Sequence, residues 1–282
     1  MITAETVNNV REVVSGWRRD NLTVGFVPTM GALHEGHASL IRQAAEECDR
    51  VVASVFVNPT QFGKGEDLDS YPRDFGRDCK ILEQEGCDLV FHPDVTEIYP
   101  DGFSTYVNPE AEMTCRLCGK SRPSHFRGVC TVVLKLFNIV TPDRAYFGEK
   151  DAQQLAVIRR MAADLNLPVQ IVGCPTVREA DGLAKSSRNA YLTEDERKDA
   201  AMIFQALEAG RKVIDEAGGE ASSDKVVSAI SQVISEIRDS RIDYIEAVDG
   251  TTLMPVEKTG PGTLIAVAVF IGNTRLIDNF TV

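Results

Sequence analysis

The chain contains 282 residues, of which 43% are hydrophobic and 26% are charged. This balance is typical of a soluble globular protein with one large or two modest domains, and it excludes the disordered and fibrous classes. Lys and Arg total 30 and Asp and Glu total 42, so the formal net charge is −12. A negative excess of this size repels a phosphate backbone, which argues against nonspecific binding to nucleic acid.

The sequence also argues against a membrane or secreted protein. The longest apolar run, Leu264 to Ile271, is far shorter than the roughly 20 residues that a membrane helix needs. The N-terminal segment lacks the basic-then-apolar order of a signal peptide. Seven cysteines without such a signal are typical of reduced thiols, so we expect a cytoplasmic protein without a membrane partner.

The first 175 residues alternate between predicted helices and apolar strands. Val7, Val10, Val14 and Trp17 recur at helical spacing and predict an opening helix. The predicted strands are Leu22 to Val27, ending at Pro28, then Val51 to Val57, Asp88 to Phe91, Ala145 to Phe147 and Val169 to Val172. Predicted helices lie near 38–47, 74–86, 127–140 and 152–165. Because these strands are apolar on both faces, we expect an α/β fold with a doubly wound parallel sheet covered by helices on both sides.

Beyond residue 175 the pattern changes. A polar stretch leads into a helix from Thr193, where Thr193 and Glu196 predict a capping box. A second helix over about 224–237 is followed by strands at 242–248, 263–271 and 274–278. Two helices followed by consecutive strands predict a smaller α+β domain with an antiparallel sheet. We therefore divide the chain into domains 1–176 and 177–282.

Unusual polar residues follow the predicted parallel strands. Ligands of doubly wound sheets bind beyond the carboxyl ends of the strands. Four segments follow such ends: Pro28 to His37, Asn58 to Phe62, Gly148 to Asp151, and Gly173 to Arg178. We therefore expect the functional residues on one rim of the sheet.

His34 and His37 lie three residues apart at a predicted helix start, with Gly36 between them. Free N–H groups and the positive end of the helix dipole suit a phosphate there. Glycine lets a ligand approach the backbone, and two imidazoles at this spacing share a face. A single histidine is more often a hydrogen-bonding group at a helix start, but the H-x-G-H pattern between a strand and a helix favours a phosphate site.

The other candidates have structural interpretations that remain open. Asp151 and Gln154 have the spacing of a capping box. Lys150 is compatible with a solvated side chain, and Gln61 after Asn-Pro-Thr with a turn residue. Lys185–Arg188 combines two cations with two hydroxyls, but it is also compatible with a hydrophilic linker between domains.

The cysteines offer a further alternative. Cys115 and Cys118 have the spacing of half a zinc site, with His125 or Cys130 as partners, but no second pair has zinc-finger spacing. The four remaining cysteines have the character of small core residues: Cys48, Cys79, Cys87 and Cys174.

Five segments resemble the pantoate–β-alanine ligase (pantothenate synthetase) family in their order and spacing: PTMGALHEGH, SVFVNPTQF, SHFRGV, FGEKDAQQ and DGLAKSSRNAYL. The resemblance runs from about residue 22 to residue 194. H-x-G-H alone marks the wider nucleotidyltransferase superfamily, whereas the NPTQF, GEKD and SSRN segments together are more specific. The resemblance implies a Rossmann-like N-terminal domain, a smaller C-terminal lid domain and a homodimer.

The resemblance also implies condensation of pantoate with β-alanine, driven by cleavage of ATP to AMP and pyrophosphate through a pantoyl-adenylate. Residues implied in binding ATP are Met30, Gly31, Ala32, Leu33, His34, Glu35, Gly36, His37, Gly148, Glu149, Lys150, Asp151, Val177, Lys185, Ser186, Ser187 and Arg188. Those expected to act in catalysis are His34, His37, Lys150, Ser186, Ser187 and Arg188. Gln61 and Gln154 are implied in binding pantoate, with Gln61 also beside β-alanine. Mg²⁺ is expected with ATP, with Asp78 or another acidic residue left open as its ligand and no metal-binding residue assigned.

Two departures and three alternatives accompany this interpretation. Cys115 and Cys118 match no motif of the family's chemistry and support no functional claim. Lys185 stands where many relatives have Met or Leu, which can alter packing near the adenine. Another nucleotidyltransferase, acting on a phosphorylated substrate, would be expected to have a more cationic acceptor site than paired glutamines supply. A noncatalytic nucleotide sensor would need only ATP contacts, and a zinc-dependent interaction protein would depend on Cys115 and Cys118.

Overall fold

The structure is a computed structural model that describes residues 1–109 and 111–282. It contains two compact units. Unit 1 comprises Met1–Pro109, Arg122–Glu149 and Val157–Pro175, and unit 2 comprises a segment that ends at Ser121, Lys150–Ala156 and Thr176–Val282. Unit 2 thus takes two short segments from before residue 176, and the division into domains 1–176 and 177–282 stays a prediction. Among the described residues, no helix is long and apolar enough to cross a membrane.

Strands and helices alternate through the first 175 residues. The strands are β1 (Ile2–Ala4), β2 (Val24–Thr29), β3 (Arg50–Val55), β4 (Leu89–Phe91), β5 (Arg144–Gly148) and β6 (Gln170–Cys174). The helices are α1 (Val7–Arg19), α2 (Glu35–Glu47), α3 (Phe75–Gln84), α4 (Val95–Ile98), α5 (Ala111–Thr114), α6 (Cys118–Ser121), α7 (His125–Val140) and α8 (Ala152–Asp164). Within the part of the chain that the structure describes, these six strands form one parallel sheet in the order β1-β4-β3-β2-β5-β6.

Helices cover both faces of the parallel sheet. Successive residues of a strand point to opposite faces. Phe26 of β2 makes an edge-to-face ring contact with Phe137 of α7, whereas its neighbour Val27 belongs to a buried cluster with Ile41 of α2. The apolar character of β2 on both faces is therefore explained by two helical layers, and the predicted doubly wound α/β fold is confirmed.

Two predictions about strands were wrong. The chain does not open with a helix, because it begins with β1, a three-residue strand stabilised by parallel pairing with β4, where Ile2 lies opposite Leu89. The next strand was predicted to end at Pro28, but β2 continues to Thr29. Proline is tolerated there because the pairing of β2 with β5 covers only Gly25 and Phe26, so that Pro28 pairs along β3 alone.

Unit 2 contains the antiparallel sheet that the sequence predicted. Its strands are β7 (Ser240–Asp249), β8 (Thr263–Ile271) and β9 (Thr274–Thr281), in that order across the sheet. The inward side chains of β8, among them Val267, pack in one buried cluster with Leu207 and Ile230 from the helices. The smaller α+β unit is therefore confirmed.

The helices of unit 2 differ in one respect from the prediction. Besides α5, α6 and the start of α8, they are α9 (Glu194–Ala200), α10 (Met202–Glu216) and α11 (Ser223–Ile234). The predicted capping box is confirmed: Thr193 N donates to Glu196 Oε2 over 2.7 Å, and Glu196 N donates to Thr193 Oγ1 over 3.3 Å. The single predicted helix after it is in fact two, since α9 ends before Ala201 and α10 begins at Met202.

Candidate active site

The strand order of unit 1 reverses between the neighbouring strands β2 and β5. Such a switch point is where open α/β sheets bind ligands, outside the carboxyl ends of the strands. The segment Met30–His37, which we call the helix-start segment, leaves the end of β2 and leads into α2. Gly148 ends β5 beside it. The expectation that the helix-start segment and Gly148 lie on one rim of the sheet is therefore met within unit 1.

A buried carboxylate shapes the helix-start segment. Gly31 and Ala32 both have positive φ values, 84° and 51°. Asp78 of α3, whose side chain is buried, accepts hydrogen bonds from Ala32 N at 3.0 Å and from Leu33 N at 2.8 Å. Burial raises the pKa of Asp78, and the two backbone donors oppose that rise. Both carboxylate oxygens of Asp78 accept from the backbone, which fixes the course of the helix-start segment.

His34 and His37 form the cap of α2. His34 is the N-cap residue, and its Nδ1 accepts from Gly36 N at 3.1 Å. His37 is at the third helical position, and its Nδ1 accepts from His34 N at 3.3 Å. The ring centroids are 4.1 Å apart. The structural interpretation and the phosphate interpretation are thus compatible, because the same two side chains cap the helix and stand at its positive end.

The cap also determines which ring nitrogen carries the proton. An imidazole nitrogen that accepts a hydrogen bond is unprotonated, so a neutral ring must carry its hydrogen on the other nitrogen. Nδ1 is the acceptor in both His34 and His37. Both neutral rings are therefore assigned the tautomer with hydrogen on Nε2, which makes Nε2 a donor suited to a phosphate oxygen.

Gln61 lies in a short 3₁₀ turn, Pro59–Gln61, that follows β3. Its side chain is buried. Its amide oxygen accepts from Asn58 Nδ2 at 3.0 Å, and its amide nitrogen lies 2.9 Å from the sulfur of Met30. The structure therefore brings Gln61 into contact with the helix-start segment.

The backbone of Gln61 is held by His125 and Arg122, which were not predicted to support this turn. Its carbonyl oxygen accepts from His125 Nδ1 at 3.0 Å and from Arg122 Nη2 at 3.4 Å. Arg122 in turn pairs with Glu66, with distances of 2.7 Å and 2.6 Å. His125 belongs to the SHFRGV segment of the resemblance, and it was considered only as a partner of Cys115 and Cys118 in a zinc site.

Gly128, in the same segment, explains how helix α7 approaches this turn. A Cβ atom at position 128 would lie 2.3 Å from the carbonyl oxygen of Thr60. Asn58 Nδ2 also donates to Gly128 O over 3.2 Å. Helix α7 and the turn that carries Gln61 therefore meet backbone to backbone, which only glycine permits at position 128.

Lys150, Asp151 and Gln154 belong to unit 2. A 3₁₀ turn over Glu149–Asp151 leads into α8, and Lys150 Nζ lies 3.8 Å from Asp151 Oδ2. The neighbouring Gln153 is buried and bonds the backbone at Cys118 N, Met113 O and Arg116 O, each at 2.9 Å. Gln153 was not predicted to have a role, because nothing in the linear pattern separates it from Gln154.

Val177 and Lys185 form the base of a hairpin in unit 2, which we call the 177–185 hairpin. Lys185 N donates to Val177 O over 2.9 Å, and Arg178 and Ala184 pair as an antiparallel bridge. Lys185 Nζ lies 2.9 Å from Glu179 Oε2 across the hairpin, so this lysine has an acidic partner within the same hairpin.

The hairpin leads directly into Ser186, Ser187 and Arg188. Ser186 caps the following 3₁₀ turn, Ser187–Tyr191, by accepting from Arg188 N at 3.3 Å. The linker interpretation does not describe this segment, since it has a defined backbone structure. Whether these residues bind ATP remains a proposal.

The zinc interpretation gains no support from the described residues, among which no group of three His, Cys, Asp or Glu side chains could hold a metal ion. Cys118 is buried, and its sulfur lies 3.3 Å from Tyr244 Oη and 3.5 Å from Arg275 Nη2. Cys87, Cys130 and Cys174 are buried, while Cys48 and Cys79 are only partly so. Burial raises the pKa of the Cys87 thiol to about 12, with hydrogen bonding opposing it, so this thiol is a core group.

These features define a class of protein: a Rossmann-like α/β protein with an H-x-G-H helix cap at the switch point of its sheet. A family model described as pantoate-beta-alanine ligase matches residues 2–281. The chain belongs to the pantoate–β-alanine ligase family and is an enzyme of the ligase class.

The relatives are similar over their full lengths. Pantothenate synthetase from Enterococcus faecalis is 54% identical over 281 residues, which cover 100% of this chain and 99% of the relative. The crystal structure of pantothenate synthetase from Thermus thermophilus is 47% identical with a TM-score of 0.94, covering 100% and 99% of the two chains. That of pantoate-beta-alanine ligase from Francisella tularensis, complexed with beta-gamma ATP and beta-alanine, is 36% identical with a TM-score of 0.83, covering 100% and 97%.

Proposed function

We propose that this enzyme condenses pantoate with β-alanine to give pantothenate, with ATP cleaved to AMP and pyrophosphate through a pantoyl-adenylate. The observation that carries the proposal is the full-length similarity to a ligase whose crystal structure contains an ATP compound and β-alanine together. The paired histidine cap of α2 supports it, because it supplies donors suited to a phosphate.

In the proposed first step, the carboxylate of pantoate attacks the α-phosphorus of ATP and pyrophosphate leaves. A carboxylate is already a nucleophile at neutral pH, so no Ser or Cys nucleophile is required. The enzyme must align two anions and stabilise the charge that develops on the phosphoryl oxygens and on pyrophosphate. We assign this task to the Nε2–H groups of His34 and His37, to Lys150, and to the Ser186–Arg188 segment.

The other residues carried over from the family surround these groups in the proposal. The backbone of Met30–Leu33 with Glu35 and Gly36 would lie along ATP. Further contacts would come from Gly148, Glu149, Asp151, Val177 and Lys185. In this proposal residues of both units act on one nucleotide, with the C-terminal domain 177–282 serving as a lid over domain 1–176.

Gln61 and Gln154 are proposed to bind pantoate, and Gln61 to lie beside β-alanine. Neutral amides can donate to and accept from hydroxyl groups without repelling a carboxylate. The amide nitrogen of Gln61 points at the Met30 sulfur, which is a weak acceptor. A pantoate oxygen is a stronger acceptor than a thioether, so the substrate would replace that contact at little loss.

In the proposed second step, the amine of β-alanine attacks the acyl carbon of the adenylate and AMP leaves. The ammonium form must first lose a proton, and His37 is a candidate proton carrier. Exclusion of water would protect the adenylate from hydrolysis until the amine arrives.

Mg²⁺ is proposed as part of the Mg·ATP substrate. Magnesium bound to a nucleotide usually keeps several waters and needs only one or two protein carboxylates. The described residues contain no cluster of three acidic, His or Cys side chains that would form a dedicated site, and Asp78 is engaged with the backbone. We therefore assign no residue of this chain as a metal ligand. We also propose a homodimer, which sedimentation of the purified protein would test.

The proposed reaction is tested by pantoate-dependent exchange of labelled pyrophosphate into ATP, followed by addition of β-alanine. We expect exchange that requires pantoate, and release of AMP with formation of pantothenate once β-alanine is added. Exchange that is independent of pantoate, or a product that retains the nucleotide, would favour another nucleotidyltransferase.

Two variants test the residue assignments. Lys150→Ala should slow adenylate formation at least about tenfold while the fold persists, because a cation near developing charge is removed. A wild-type rate of single-turnover pyrophosphate release would remove Lys150 from the mechanism.

Gln61→Ala should weaken pantoate binding more than ATP binding in a titration. Equal losses for the two ligands would contradict the role of Gln61.

A further inference from the structure

Two adjacent residues of strand β9, Asp278 and Asn279, contact the two segments of unit 2 that carry the proposed ATP-binding residues. We call this pair the β9 anchor. Neither residue belongs to a motif of the sequence analysis, and they lie 100 and 129 positions along the chain from the residues they contact. Because successive side chains of a strand point to opposite faces of the sheet, two adjacent residues can hold two different segments, one on each face.

Asp278 holds the base of the 177–185 hairpin. Its carboxylate accepts from Arg178 Nη1 at 2.6 Å and from Arg178 Nη2 at 2.9 Å. Arg178 Nη1 also donates to Gly182 O over 3.0 Å at the hairpin's tip, and its guanidinium lies over the Phe204 ring at 4.6 Å. The hairpin is therefore fixed at both its base and its tip by one arginine whose partner is in β9.

The position of Asp278 is costly for folding. Its side chain is only 2% exposed, and its neighbours on the same face, Leu276 and Phe280, belong to the apolar core of unit 2. A buried ion pair of this kind contributes little net stability, since desolvation offsets the attraction. Its effect on structure is instead directional: a bidentate pair sets the orientation of Arg178, and with it the course of the hairpin.

Asn279 holds the other segment. Its side-chain Nδ2 donates to the backbone carbonyl oxygen of Lys150 over 2.9 Å. The backbone N–H of Asn279 donates to Asp278 Oδ1 over 2.8 Å, so the two halves of the anchor are also bonded to each other. Lys150 and the hairpin that leads into Ser186–Arg188 are therefore both hydrogen-bonded to the same short part of strand β9.

We infer that Asp278 and Asn279 are positioning residues of the enzyme: they fix the spacing between Lys150 and the Ser186–Arg188 segment without touching the substrate. This inference rests on the proposed function, in which those two segments hold the phosphates of ATP. A displacement of about 1 Å between groups that stabilise one transition state is enough to lower its rate greatly.

The test uses Asn279→Ala and Asp278→Asn, with Asp243→Asn as the matched control. Asp243 lies on β7 of the same sheet and pairs with Arg275 over 2.7 Å in a mostly buried setting. Pantoate-dependent pyrophosphate exchange, with KM for ATP and kcat measured separately, is compared with the thermal midpoint of each protein. We expect both anchor variants to lose about tenfold in kcat/KM for ATP. The control variant should lose a similar amount of thermal midpoint, but its kcat/KM should stay within about twofold of the wild-type value.

A double-mutant cycle separates positioning from general damage. If Asn279 acts through Lys150, then adding Asn279→Ala to Lys150→Ala should change the rate by less than about twofold. A full tenfold loss in that background overturns the inference, as do folded anchor variants with wild-type kcat/KM or an equal loss in Asp243→Asn. Should Asp278→Asn fail to fold, the Asn279→Ala cycle decides alone. Absence of exchange in the wild-type protein would instead overturn the proposed function on which the inference rests.

Discussion

The helix-start segment carries candidate chemical groups, as does Ser186–Arg188, which directly follows the 177–185 hairpin, and the two regions are stabilised in different ways. In the helix-start segment, His34 and His37 are both the candidate chemical groups and the cap that orders the helix. In the hairpin, the candidate groups follow a turn that is fixed by Arg178 and Asp278, neither of which is assigned a chemical role. Substitution can therefore separate structure from chemistry easily in the hairpin, and only with carefully chosen residues at the helix start.

The largest effect is expected from Asp78→Ala, which removes the acceptor for two backbone N–H groups of the helix-start segment. Each buried donor left without a partner costs about 1–3 kcal/mol, and relief of the buried charge offsets part of this. We expect unfolding free energy to fall by about 3 kcal/mol in urea titration, with a large loss of adenylation. Asp74→Ala, at the N-cap of the same helix α3, should lose only about 1 kcal/mol. Similar losses for the two variants would contradict the role given to Asp78.

The hairpin is tested by Gly182→Ala. Gly182 has φ of 92°, and a Cβ there would lie 2.1 Å from Phe204 Cδ1. We expect a loss of about 2 kcal/mol, from the left-handed backbone and from displacement of the ring that Arg178 covers. Gly219→Ala is the matched control, since Gly219 has φ of 99° with open space around its Cβ position. Its loss should be about 1 kcal/mol, and equal thermal midpoints for the two variants would show that the Phe204 contact is unimportant.

The dual role of the helix start is separated by His34→Asn compared with His34→Ala. Asparagine is among the best N-cap residues but has no imidazole, so His34→Asn should keep nearly wild-type stability. We expect it nevertheless to slow adenylate formation at least about tenfold, which is about 1.4 kcal/mol. His34→Ala should lose both the rate and about 1 kcal/mol of stability. If His34→Asn kept the wild-type rate of pyrophosphate exchange, the histidine would be a cap and nothing more.

The smallest effect is expected at Thr193, whose capping box involves no candidate chemical group. Thr193→Ala should lower the unfolding free energy by about 1 kcal/mol and leave adenylation unchanged. Adding Glu196→Ala should lower the unfolding free energy further, since Glu196 Oε2 accepts from the backbone N–H of residue 193, a bond that Thr193→Ala leaves in place. A change in KM for ATP in either protein would mean that the start of α9 influences the nucleotide site.

The fold was predictable from the sequence because apolar strands alternate with helices. Strands that are apolar on both faces indicate a sheet covered by helices on both sides. The errors occurred where tertiary contacts outweigh local pattern. Strand β1 depends on its pairing with β4, and Pro28 is accepted only because β5 has already parted from β2. No glycine or proline lies at the break between α9 and α10, so the local sequence does not predict it.

The candidate site shows the same limit. The motifs pointed to His34, His37, Gln61 and Lys150, because the pattern that indicates the chemistry of each residue lies within a short stretch of sequence. They could not point to Asp78 or Asp278, because an acidic residue in a helix or strand has no linear feature that shows which distant backbone it will meet. These supporting residues are separated from the groups they hold by 45 to 100 positions.

Gly128 bears on any attempt to redesign this enzyme for a different acid. The backbone of helix α7 lies directly against the backbone of the Pro59–Gln61 turn, and there is no room between them for a side chain at position 128. This contact therefore sets the position of the turn. A library that randomises position 128 would return almost solely misfolded protein. Diversity introduced at position 61 would instead change the side chain that we propose to bind pantoate, while the close backbone approach at Gly128 stays in place.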